Sequence, residues 1–108
     1  KAVFSSDAGK TFSAPIVVDD GKPIGRVDVL ALPSGQAMVS WIEGGKTGEI
    51  RVRKIAPGAP RGPSIVVAPT SLSTSSGFPK LKLNGADVVV AWTQTGKVSQ
   101  VKTAILKP

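Results

Sequence analysis

The chain has 108 residues, enough for one modest core, and its apolar 41% lies in short runs of Val, Ile and Ala, none near the about 18 consecutive apolar residues of a membrane-crossing helix. Zero Cys and zero His remove disulfides, thiolate nucleophiles, the commonest general base and the usual zinc ligands. Fourteen Lys and Arg against seven Asp and Glu give a formal charge of +7, yet Lys10, Lys22, Lys46, Lys54, Lys80, Lys82, Lys97 and Lys102 are scattered over turns and strand ends, which speaks for a solvated surface rather than a nucleic-acid or membrane partner.

Taken in chain order, the predicted elements are all strands. β-rich runs fall at 2–5, 13–18, 26–32, 37–43, 49–55, 64–67, 80–83, 87–93 and 100–106, nine in all, and helical periodicity is nowhere sustained. Ser34-Gly35, Gly44-Gly45, Pro57-Gly58, Asn84-Gly85 and Thr95-Gly96 supply turn chemistry between them. Neither Met nor a basic and apolar leader stands before Lys1, so a processed, excised or truncated product is expected. The lack of Cys suits a periplasmic or secreted protein.

A long internal repeat organises these strands. Leu30-Ala-Leu-Pro-Ser-Gly-Gln-Ala-Met-Val-Ser-Trp41 matches Leu81-Lys-Leu-Asn-Gly-Ala-Asp-Val-Val-Val-Ala-Trp92 at an offset of 51 without a gap. The same offset lays Glu49-Ile-Arg-Val-Arg-Lys-Ile-Ala-Pro57 on Gln100-Val-Lys-Thr-Ala-Ile-Leu-Lys-Pro108, and Pro15-Ile-Val-Val18 recurs at 49 as Ser64-Ile-Val-Val67. Four short strands per repeat fit the antiparallel blade of a β-propeller, which hides both faces by stacking on its neighbours. A sandwich accounts for the strand number but not for the repeat. On this reading residues 1–24 are a partial blade, 25–76 a complete one and 77–108 another partial one. About two blades cannot close a ring, so the expected partners are the remaining blades of a parent chain or identical copies, three of which would make six blades.

Ser5-Ser-Asp-Ala-Gly-Lys-Thr-Phe12 follows the pattern S-x-D-x-G-x-T-[FW], the Asp-box, and here the chain resembles the sialidase (neuraminidase) superfamily of six-bladed propellers. Gly25-Arg-Val-Asp-Val, Ser40-Trp-Ile, Gly77-Phe-Pro and Ala91-Trp-Thr also look like the last blades of bacterial sialidase-like proteins. The local reading of the box is structural. Ser5 and Asp7 accept backbone N–H bonds across a hairpin, Gly9 is left-handed, Thr11 completes the motif and Phe12 tucks into the blade. One carboxylate is far from a calcium shell, so neither metal nor cofactor is expected.

Sialidases of the kind this chain resembles clamp the substrate carboxylate with arginines and attack through a Tyr activated by a Glu. There is no Tyr in this chain, so no catalytic residue is assigned. Arg26 is the one candidate ligand-binding residue, a guanidinium suited to a carboxylate, with a salt bridge to Asp28 as its plainer reading. Arg51 and Arg53 alternate with Ile50 and Val52 and read as a solvated face, and Trp41 and Trp92 read as core. The expected function is a non-catalytic scaffold or glycan- or protein-binding segment of a sialidase-like propeller. The alternative is the C-terminal part of an exo-sialidase-type glycoside hydrolase with its catalytic residues elsewhere.

Overall fold

Residues 1–70, 79–95 and 98–107 are described by the structure, a computed structural model. The described residues form seven strands and no helix. Four of them, β1 (Pro23–Ala31), β2 (Ala37–Glu43), β3 (Gly48–Ile55) and β4 (Ser64–Thr70), make an antiparallel meander. The other three, β5 (Lys80–Asn84), β6 (Asp87–Gln94) and β7 (Gln100–Leu106), make a second. Within each sheet every strand pairs antiparallel with its sequence neighbour, so the order along the sheet follows the order along the chain.

Strand β2 is buried along its whole length because both of its faces are covered. Ala37, Val39 and Trp41 join Val18 and Ile55 in one cluster, against which Ala2, Phe4 and Ile16 pack. On the opposite face Met38 and Ile42, with Ile50 and Val52 of β3, meet Leu81, Val88, Val90 and Trp92 of the second sheet. Period-two alternation therefore sends one set of β2 side chains towards the N-terminal segment and the other towards the second sheet. Between the sheets, Asp28 accepts the Leu81 N–H at 2.8 Å.

The repeat holds in space for one hairpin and slips in the other. Trp41 pairs with Arg51 and Trp92 with Lys102, so β2–β3 and β6–β7 share a register under the 51-residue offset. Leu30, however, pairs with Met38, whereas Leu81 pairs with Val90 rather than Val89. The turns explain this. Leu32 and Gln36 close a three-residue loop ending in Gly35 at φ 83, the bulged kind, while Asn84 and Asp87 flank two residues opening with Gly85 at φ 62, where glycine meets the primed-turn requirement. A slip of one residue turns a strand over. Leu30 and Leu32 face the second sheet, whereas Leu81 and Leu83 face back towards the first.

Two expected strands are absent. Residues 2–5 and 13–18 make one isolated bridge, Ala2 with Ile16, although Ser13 N–H also reaches the Phe4 carbonyl at 2.7 Å. The ladder stops because Phe4 N–H donates to the Ser13 hydroxyl at 2.9 Å instead of to backbone, and Pro15 has no N–H to give. Strand β1 also begins three residues earlier than the expected 26–32, and β4 runs three residues past the expected 64–67. The Thr95-Gly96 turn and Gly77-Phe78 lie partly or wholly outside the described residues.

Candidate functional site

Three features could carry function: the box loop, a charged cluster beside β3, and a cleft against β1 and β2. In the loop, the Ser5 hydroxyl accepts Gly9 N–H at 2.8 Å and donates to Asp7 Oδ1 at 2.8 Å. Asp7 accepts the Thr11 N–H at 2.9 Å through Oδ1 and the Thr11 hydroxyl at 2.5 Å through Oδ2. The Thr11 hydroxyl first, then the Thr11 N–H and the Ser5 hydroxyl, hold the Asp7 carboxyl at about 2. Ala8 and Gly9 both take positive φ, 59° and 87°, which lets the chain wrap around the two acceptors. Phe12 does not tuck into a sheet: it is 61% exposed, since the short bridge above it leaves no sheet to receive the ring. Both carboxylate oxygens are engaged inside the loop, and among the described residues no group of three His, Cys, Asp or Glu is placed to hold a metal.

The charged cluster was not legible as such. Arg53 is only 4% exposed, and with Arg51 it converges on Asp20, Arg51 Nη1 at 2.7 Å and Arg53 Nη2 at 2.5 Å. Arg51 also meets Glu49 at 2.5 Å, and Arg53 donates to the Gly62 carbonyl at 3.0 Å with its cation 5.8 Å from the centre of the Trp41 ring. Both arginines therefore depart from the solvated face expected of them, because β3 is an inner strand flanked by β2 and β4 and the 17–22 segment folds over it. Burial pushes the Asp20 carboxyl up, but the Ser64 hydroxyl beside it and the two guanidinium groups outweigh that and leave it below its ordinary value. Glu49 and then Asp20 raise Arg51.

Glu43 completes the cluster. Its buried carboxylate accepts the Trp41 indole N–H at 2.8 Å, Asp20 N–H at 2.8 Å and Lys22 N–H at 2.6 Å. Arg61 adds donors to the Val17 and Asp19 carbonyls. The bonds to Asp20, to the Lys22 N–H and to the Val17 and Asp19 carbonyls tie the 17–22 segment to β2, β3 and the loop that follows β3, so the cluster works as a latch. Its one sequence signal is a departure from the repeat: Glu43, Arg51 and Arg53 fall on Gln94, Lys102 and Ala104. Among the described residues the second sheet shows no such latch, and the Trp92 indole nitrogen is buried without a hydrogen-bond partner there.

Arg26 stands exposed on β1, within a bulge where three residues, Gly25, Arg26 and Val27, stand opposite Trp41 alone on β2. The bulge, opened by Gly25 at φ 73, breaks the two-residue parity that would pair Arg26 with Asp28. Asp28 instead directs its oxygens to the Val29 and Leu81 N–H groups. The cleft, about 370 Å³, is lined by Val3, Pro23, Val27, Val29, Val39 and Trp41 among others, and its wall is mainly hydrocarbon. No family model, curated protein or solved structure matches the chain.

Proposed function

We propose that the chain is a non-catalytic, repeat-built β scaffold, blades of a sialidase-like propeller with a structural or binding role. One observation carries this reading. Under the 51-residue offset Trp41 and Trp92 are equivalent, and each points from its sheet towards the unit that precedes it, Trp41 to the N-terminal segment and Trp92 to the first sheet. Units stacked in one direction, each burying its face on the next, are what a blade array requires. The box loop supports the same reading, because its polar groups bond one another. So does the latch, whose charges are spent on holding backbone. A glycosidase needs two working carboxyl groups, or a nucleophile and an acid, facing one cleft; the wall of the apolar cleft offers Asp19 alone among carboxylates.

The test is incubation of the purified chain with a fluorogenic sialoside and with a glycan array. Release of no fluorophore by a cooperatively folded protein is the expected result. Turnover that survives repurification and disappears on substitution of a cleft residue overturns the scaffold reading. Saturable retention on one glycan class assigns the binding role within it.

The exposure of Arg26 supports a second reading, in which this segment belongs to a longer exo-sialidase and Arg26 helps to grip the substrate carboxylate. In such a protein Arg26→Ala raises KM for a sialoside with kcat little changed. An unaltered KM removes Arg26 from the clamp.

A further inference from the structure

The geometry points to head-to-tail self-association, in which the open face of the second sheet in one copy covers the cleft beside β1 in another. The inference rests on the scaffold reading for its stacking direction and commits to a second copy of this chain as the occupant. One interface of this kind already exists inside the molecule. The first sheet covers the second with Met38 and Ile42 of β2 and Ile50 and Val52 of β3, all buried. Their equivalents at the 51-residue offset are Val89, Thr93, Val101 and Thr103, and β6–β7 keeps the register of β2–β3, so these four share the corresponding face of the second sheet. That face is open. Val101 is 75% exposed, and Ile105, paired with Val89 on the same face, is 61% exposed.

The complementary surface lies on the far side of the first sheet. In the existing interface the second sheet answers with Val88, Val90 and Trp92, whose equivalents are Ala37, Val39 and Trp41. The N-terminal segment covers part of that surface through Ala2, Phe4 and Ile16. What it leaves is the cleft, with Val27 and Val29, 62% exposed in the latter case, beside Val39 and Trp41. Apolar patches of this kind mark association sites. Because the two surfaces differ and lie at opposite ends of the stack, the contact is heterologous, closing into a ring or running on. The slipped register of β5 places Lys80 and Lys82 opposite Ala91 and Val89, at the margin of the open face. Their stems can cover apolar surface while the ammonium groups reach water or Asp19 at the cleft wall.

Sedimentation of the 108-residue chain over a hundredfold concentration range tests this. A weight-average mass that rises above the monomer is expected. Val101→Glu, at an exposed site on the open face, and Val29→Glu, at the cleft, should each abolish the rise while leaving circular dichroism and the melting profile unchanged. Val27→Glu stands in for Val29→Glu if that variant unfolds. An equimolar mixture of Val101→Glu and Val29→Glu retains one good surface of each kind, so it should form a dimer and nothing larger. A wild-type chain that stays monomeric throughout overturns the proposal and leaves both faces to other sequence. A self-association untouched by either substitution, or a mixture that stays monomeric, overturns the head-to-tail geometry. None of these outcomes bears on sialoside turnover, so failure here is separate from failure of the scaffold reading.

Discussion

Replacing Glu43 by Gln changes one oxygen for an amino group in a site that offers only donors. The carboxylate accepts from the Trp41 indole and Asp20 N–H through Oε1 and from Lys22 N–H through Oε2. In Glu43→Gln the carbonyl oxygen can keep the first two bonds, but the NH2 group then faces the Lys22 N–H, donor against donor. A buried donor left without an acceptor costs about 1–3 kcal/mol, and the other two bonds lose the strength that a charged acceptor lends them. Glu43→Gln should therefore destabilise by about 2 kcal/mol, which for a domain near this size lowers the melting temperature by about 10 °C. The repeat supplies an internal contrast, since Gln94 occupies the equivalent position and the Trp92 indole it follows has no partner. Calorimetric unfolding measures the effect, with tryptophan fluorescence reporting the indole's surroundings. A change below about 0.5 kcal/mol, inside the ordinary range for surface substitutions, would show that water or a shifted segment replaces the acceptor and refute the latch as the device that holds 17–22 in place.

Arg53→Ala removes the bonds to Asp20 and the Gly62 carbonyl and the cation beside Trp41, and should cost about 2 kcal/mol, since the pair is largely but not wholly buried; Arg53→Lys should recover only part of this, because an ammonium lacks the planar fork. Equal stability of Arg53→Ala and wild type in urea titration would contradict that. Gly44→Ala should destabilise by about 1–3 kcal/mol as overpacking does, because the added Cβ would stand 3.0 Å from the Lys22 carbonyl oxygen, the same oxygen that accepts Gly44 N–H at 2.6 Å; an unchanged urea midpoint would show that the 20–24 backbone yields freely. Asp7, held at about 2 against an ordinary 3.8, contributes stability above pH about 4 that is lost as the pH falls towards 2, the sign for a carboxyl whose folded-state pKa is depressed. Asp7→Asn should accordingly flatten the decline of melting temperature between pH 4 and 2, and identical acid slopes for variant and wild type would remove the box from the acid response.

The latch and the box loop solve related problems. Each holds a segment with little regular structure by giving its N–H groups a carboxylate to bond. The box does so locally, within eight residues, and in full exposure; the latch does so across more than twenty residues of sequence, with a buried acceptor. Buried bonds of this kind are costly to lose because no water replaces them. The first sheet is thus clamped on one face by polar bonds and packing, and on the other by packing against the second sheet with one carboxylate bond across the gap.

Sequence alone determined the all-β character, strands β2, β3, β6 and β7 to within a residue at each end, the hairpins within each sheet, the buried Trp pair and the use of Ser5 and Asp7 as acceptors of nearby N–H groups. All of these rest on short-range patterns: alternation, turn residues and a repeat of equal length. Tertiary structure decided the rest. Whether Arg53 meets water or Asp20 depends on a segment 33 residues away. Phe12 is exposed because the segments flanking it make a single bridge instead of a sheet. Strand β5, at the edge of the second sheet, turned over relative to β1 because the turns that follow them differ in length by one residue. Such choices are made by the competition of whole segments for the same hydrogen bonds and buried faces, and no window of sequence contains both competitors.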